Sequence, residues 1–244
     1  MATRARSSDS VRVTRALLLK RVEYGDADLV LTLFTEALGR VSVLARSARR
    51  SQKRFGGALE PIHTLSVELE ERPKSELYGL RSAKLAIARI VLTRDLERMS
   101  VAGRALSWIR RAAPVRTPEP ALWSLLHALF DRLDDAAEQR PPSLLLACAG
   151  LSVTQALGFG LDFERCVRCG KACPEGQPAL LDPARGGLVC RACGGGRVRL
   201  DPGLRKRLSR TASGETPFGL EPDDGNAALA IVDAVLRSHA GFEE

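Results

Sequence analysis

The sequence predicts an α+β multidomain protein: a small N-terminal β-barrel, then an α-helical domain with an inserted four-cysteine module. Three observations carry that prediction. Between Val11 and about Tyr78 the chain is a series of short strand-like runs separated by turn signals. From about Lys84 the apolar residues recur at helical spacing instead. Two Cys-x2-Cys pairs then interrupt the helical part.

Residues 1–10 are polar and read as disordered. Strand-like runs occupy 11–22, 28–35 and 40–46, with Gly25-Asp26 and Ala37-Leu38-Gly39 supplying the turns. Residues 63–71 alternate strictly, and residues 76–83 make a short fifth strand. Five short strands with no helical period between the early ones point to an OB-like barrel, because closure leaves no exposed strand edge. The first domain is therefore placed at 1–80.

The helical pattern runs over 84–113 and stops at Pro114, Pro118 and Pro120. A second amphipathic helix is expected over 121–139, ended by Pro141-Pro142, and a third over 143–159, ended by glycines. Beyond the cysteines, 201–212 and 223–240 read as two more helices. The helical domain is thus 81–163 with 197–244, and the module between them is 164–196.

Within the module, Cys166 and Cys169 form one pair and Cys190 and Cys193 the other, twenty residues apart. A Cys-x2-Cys turn puts two sulfurs on one side of a tight loop, so two turns can close a tetrahedron around Zn²⁺. Gly170 and Gly194 follow the pairs and permit the sharp turn. Four thiolates leave no position for water, so a bound metal would be structural. Disulfides, an iron–sulfur cluster or a site without metal are the alternatives. Cys173 breaks the spacing and reads as a bystander. Cys148, in an apolar run, reads as a buried core residue.

The start of the chain has no apolar segment of the secretory type, and no run approaches the roughly 18 apolar residues of a membrane span. The expected location is cytoplasmic and nucleoid-associated, with no membrane partner, where thiols stay reduced. The net charge of +8 is unevenly spread: basic at 1–60 and 164–210, near neutral between, and acidic after 211. That asymmetry points to a polyanionic partner. Its densest part is Arg40, Arg46, Arg49, Arg50, Lys53 and Arg54, a stretch without one acid. A basic loop after a barrel strand suits a phosphate track. Phe55 either stacks on a base or anchors that loop. Arg197, Arg199, Arg205, Lys206, Arg207 and Arg210 form a second basic stretch, either part of the same surface or a solvated helix face.

No catalytic constellation is present, so the chain does not read as an enzyme. His63, His127 and His239 are isolated, and Asp134-Asp135 reads as solvated. There is no phosphate-binding glycine loop, no HExxH and no GxSxG.

The run from Tyr24 through Gly25, Asp26, Ala27, Asp28, Leu29, Val30, Leu31, Thr32, Leu33 and Phe34 to Thr35, followed by Gly39-Arg40, resembles the N-terminal barrel of the bacterial recombination mediator family RecO. So do Ala45-Arg46-Ser47-Ala48-Arg49-Arg50-Ser51 and Leu59-Glu60-Pro61. That family usually has glycine where this chain has Ser47. Ala156-Leu157-Gly158-Phe159, Cys166-x2-Cys169-Gly170 and Gly186-Gly187-Leu188-Val189-Cys190 are similar to the approach to the family's zinc module, and the ending from Val235 to Glu244 is family-like. The stretch 84–145 matches only in pattern. The resemblance implies an OB-fold barrel joined to a helical domain with a zinc module. It implies binding of single- and double-stranded DNA, annealing of complementary strands, and help in loading RecA onto DNA coated by single-strand binding protein. The partners it implies are RecR and the acidic C-terminal tail of single-strand binding protein. From the residues alone, a zinc-ribbon transcription or RNA-binding factor with a basic barrel remains the alternative.

Overall fold

The computed structural model describes residues 11–55, 58–72 and 75–239. The expected disorder of 1–10 and the family-like end at 240–244 lie outside the described residues. The chain divides into two units: Met1–Ile90 with Ala113–Pro120, and Val91–Ala112 with Ala121–Glu244.

The first unit is a closed five-stranded barrel of β1 (Val11–Tyr24), β2 (Asp28–Thr35), β3 (Gly39–Ala45), β4 (Thr64–Glu70) and β5 (Tyr78–Ile87), in the order β1-β2-β3-β5-β4. All neighbours are antiparallel except β3 and β5. β1 serves both β4 and β2, and an irregularity between Leu18 and Lys20 lets it bend from one to the other. The period of two predicts the core: Leu29, Leu31 and Leu33 of β2 point inward with Val41, Val43 and Ala45 of β3 and Leu65, Val67 and Leu69 of β4.

Strand β5 corrects one expectation. Residues 84–87 were expected to open a helix, and the helix of that stretch instead begins at Leu96. Short apolar runs carry both periods, and here pairing decides: Lys84 lies opposite Ser66, Leu85 opposite Leu65 and Ile87 opposite Thr64. The barrel unit accordingly reaches Ile90 rather than 80. The unit also takes in a strap after residue 112. There Arg40 Nε donates to Ala113 O at 2.8 Å, and the N–H of Arg116 donates to Arg40 O at 2.9 Å.

The second unit holds α2 (Leu96–Ala112), α3 (Pro120–Asp134), α4 (Pro142–Ala156), α5 (Pro202–Ala212) and α6 (Gly225–His239); a single turn in the barrel unit, α1 (Gln52–Phe55), precedes them. Helix α4 is apolar on nearly every face and packs against α2, α5 and α6, as a central helix must. Asp201 caps α5 by accepting the N–H of Leu204 at 2.9 Å. Asp134, expected to be solvated, is half-buried and accepts the N–H of Leu92 at 3.0 Å. The histidines are structural: His63 Nδ1 accepts the N–H of Arg89, His127 Nδ1 lies 3.0 Å from Trp123 O, and His239 stacks on Phe159. Among the described residues, no helix is long and apolar enough to cross a membrane.

Two carboxylates in this unit make stability depend on pH. Hydrogen bonds from Arg140, at 2.7 and 2.9 Å, hold the Glu138 carboxyl at about 2 against the usual 4.5, with Arg132 assisting. The Arg207 guanidinium lowers Asp224 in the same way, through bonds of 2.6 and 2.7 Å. A carboxyl with a lowered folded-state pKa contributes stability that is complete above its unfolded value and lost as pH falls through the folded value. The melting temperature should therefore fall as pH drops from about 4.5 to about 2. Glu138→Gln should melt lower at neutral pH and lose less over that acid range. Thermal melts at stepped pH check both.

Candidate metal centre and nucleic-acid interface

The cysteine module is a four-stranded sheet of β6 (Asp162–Cys166), β7 (Ala179–Asp182), β8 (Gly187–Leu188) and β9 (Val198–Leu200), in the order β6-β8-β7-β9. Phe163, Leu181, Leu188, Val189 and Leu200 are buried in it. The first cysteine turn leaves the end of β6, and the second follows β8. In the first turn the N–H of Gly170 donates to Cys166 O at 2.8 Å, and in the second the N–H of Cys193 donates to Cys190 O at 2.9 Å. Gly170 and Gly194 have φ of +73° and +101°, a region closed to most side chains, so the turns need glycine there.

These turns bring the sulfurs of Cys166, Cys169, Cys190 and Cys193 within 4.8 Å of one another. Cys169 and Cys190 are 3.8 Å apart, sulfur to sulfur. A tetrahedron of sulfurs about 2.3 Å from a metal has edges of about 3.8 Å, so the donor set fits a metal ion. Backbone N–H groups of Cys190 and Cys169 bring the Cys166 thiol down to about 6. The Cys193 thiol is pushed up to about 12, because its proton serves the sulfurs of Cys190 and Cys169. A cation at the centre would take that proton's place. Cys173 is not in the cluster; its backbone carbonyl accepts from Arg205 Nη1 at 3.3 Å. Cys148 is buried, and burial raises its thiol.

The six cations of the barrel loop separate into two groups. Arg40 holds the strap, as described. Arg54 turns back on its own loop: Nη2 donates to Arg46 O at 2.7 Å, Nε to Ser51 Oγ at 3.1 Å, and the guanidinium lies 5.0 Å from the centre of the Phe55 ring. Phe55 itself is buried in the barrel core, so it anchors the loop. Arg49 pairs with Glu23 at 3.2 Å, an exposed contact worth little. Arg46, Arg50 and Lys53 are exposed and form no ion pair among the described residues.

The loop has a fixed path. Ser47 has φ of +52°, the left-handed conformation that glycine adopts without cost. Its N–H donates to Asp28 Oδ1 at 2.7 Å, and the N–H of Arg49 donates to Ala27 O at 3.1 Å. The basic loop is thereby tied to the β1–β2 turn.

Sequence reasoning missed two cations of this surface. Arg72 lies against Gly79, and Arg81 pairs with Glu70 at 3.1 Å. With Leu44, Arg46 and Arg54 they line a shallow concavity of about 340 Å³ beside β3. Arg72 follows β4 and Arg81 lies in β5, both distant in sequence from the basic loop, so no charge run announces them. The second basic stretch is partly structural. Arg205 is buried and donates to Pro174 O at 2.8 Å, Arg207 serves Asp224, and Arg210 pairs with Glu215 at 3.0 Å. Arg197, Arg199 and Lys206 are exposed.

Comparison with known proteins finds matches over nearly the whole chain. A family model described as Recombination protein O N terminal covers residues 11–89, and one described as Recombination protein O C terminal covers 93–243. The DNA repair protein RecO of Anaeromyxobacter sp. (strain K) is 37% identical over 240 residues, spanning 96% of this chain and 92% of the relative. That of Pelobacter propionicus is 34% identical over 233 residues, spanning 93% and 91%. That of Geobacter metallireducens is 30% identical over 230 residues, spanning 93% and 91%.

Proposed function

Because this chain belongs to the RecO family of DNA repair proteins, we propose that it acts as a recombination mediator: it anneals complementary single strands and, with RecR, assists RecA loading on DNA coated by single-strand binding protein. The observation that carries the reading is the exposed, unopposed trio of Arg46, Arg50 and Lys53 on a loop held by Asp28. Annealing requires two polyanions to approach. Cations that contact phosphates lower their repulsion without reading sequence and leave the bases free to pair. The role needs no chemical turnover.

The labour divides by region. The barrel binds single- and double-stranded DNA through Arg46, Arg50 and Lys53, with Arg49 joining when phosphate displaces Glu23. Arg40 and Arg54 shape the loop. The module of 164–196 holds Zn²⁺ on Cys166, Cys169, Cys190 and Cys193, and that ion would supply structure without reacting. The helical domain takes the acidic C-terminal tail of single-strand binding protein, its carboxylate met by an Arg or Lys. The protein works in the cytoplasm, at the nucleoid.

Equilibrium binding to single-stranded DNA, duplex DNA and structured RNA tests the reading. Both DNA forms should bind with strong salt dependence. A clear preference for structured RNA would favour an RNA-binding factor and overturn it.

A further inference from the structure

We propose that Tyr24 is a stacking platform for one unpaired nucleobase, with the neighbouring phosphate seated in the concavity lined by Arg46 and Arg72. This deepens the DNA-binding reading and rests on it. Tyr24 is 61% exposed, and no other aromatic residue among those described is exposed. The barrel's other aromatic residues, Phe34, Phe55 and Tyr78, are buried.

Register sets what surrounds it. Tyr24 lies opposite Asp28, Val22 opposite Val30, and Lys20 opposite Thr32. The same outward rows continue into β3, where Val30 meets Leu44 and Thr32 meets Ser42. Leu29 pairs with Ala45, so Arg46 is the next position beside Asp28. The outer face of these strands therefore carries a ring, an apolar stripe of Val22, Val30 and Leu44, and cations on either side. Beyond Leu44 the face runs into the concavity lined by Arg46, Arg54, Arg72 and Arg81, where Glu70 is the one acid and is held by Arg81 at 3.1 Å. Arg72 makes no ion pair among the described residues. An apolar stripe with a ring suits base faces, and flanking cations suit the phosphates of the same strand. A duplex hides its base faces and gains only the second contact. Tyr24 thus gives single strands an advantage that the basic loop alone does not.

Full-length protein tests this with a labelled oligothymidylate and a duplex of equal length. Tyr24→Ala should weaken binding to the single strand roughly 5- to 150-fold, the range for one lost base stack. Duplex affinity should stay within about twofold, which also reports an intact fold. Tyr24→Phe should bind both as native protein does. The salt slope of Tyr24→Ala should be unchanged, because stacking releases no counterions. Native single-strand affinity in Tyr24→Ala, or equal loss for both ligands, overturns the proposal. If that result coincides with a lowered salt slope in a variant with Arg46, Arg50 and Lys53 all replaced by glutamine, the DNA-binding reading stands without Tyr24. If that variant keeps its native slope, the DNA surface does not lie on the barrel loop, and the loop reading on which this proposal rests fails with it.

Discussion

Replacing Arg46, Arg50 and Lys53 together by glutamine is expected to weaken binding to every DNA sequence alike. Each phosphate contact contributes about 0.7–0.9 to the slope of log affinity against log salt, so the magnitude of the slope should fall by about 2–3. Extrapolated to 0.1 M salt, that is a loss of roughly two orders of magnitude. The three side chains are exposed and without ion pairs among the described residues, so their removal should leave the melting temperature close to native. Arg40 and Arg54 behave differently, because their guanidinium groups bond to Ala113 O and Arg46 O and hold the strap and the loop. Their substitution should lower stability as well as affinity. Salt titrations followed by fluorescence anisotropy check the first set, and thermal melts separate it from the second. An unchanged slope in the triple variant would move the DNA surface elsewhere, with Arg197, Arg199 and Lys206 next to be replaced.

The second large effect concerns the metal. Elemental analysis should find one zinc per chain in native protein and none in Cys166→Ser with Cys190→Ser. An iron signal in place of zinc would identify an iron–sulfur cluster. Cys173→Ser should keep the ion, since Cys173 lies outside the sulfur cluster. Loss of the ion leaves four thiols within 4.8 Å with no shared cation, and the two turns should open. The damage should concentrate in β6–β9, where protease cutting should appear first. The carbonyls of Cys173 and Pro174 that accept from buried Arg205 lie between the two turns. The start of α5 should therefore loosen with the module. Retention of metal by the double serine variant would end the assignment of these four ligands.

How much of this was legible in the sequence depends on how local each feature is. The cysteine cluster depends on two turns of four residues, each closed by its own backbone, and spacing alone reveals such turns. The barrel core was legible because every second residue is apolar in β2, β3 and β4, from Leu29, Leu31 and Leu33 to Leu65, Val67 and Leu69. The end of β5 was not, because Lys84 to Ile87 satisfies two periods and only pairing with β4 chooses between them. Counting charge along the chain found the basic loop and overstated it. Arg40, Arg49 and Arg54 are cations in sequence, yet in space each has a partner within the barrel unit. The same error applies to Arg205 and Arg207, which were placed on a possible surface and are used to tie α5 to its neighbours. Arg72 and Tyr24 were missed for the converse reason. Each is alone in its segment: folding brings Arg72 into the concavity with Arg46, and register puts Tyr24 on the same outer face with Asp28 as its cross-strand neighbour. Ser47 is an intermediate case. It stands where the family usually has glycine, and its left-handed backbone held by Asp28 shows how serine is accommodated.

The central claim is that this protein brings complementary strands together through the barrel loop. The most direct test is the rate at which full-length protein anneals complementary strands coated with single-strand binding protein. Native protein should accelerate annealing well above the uncatalysed rate. The Arg46, Arg50 and Lys53 variant, with its zinc retained, should fall close to that background. Annealing at the native rate by this variant would contradict the account.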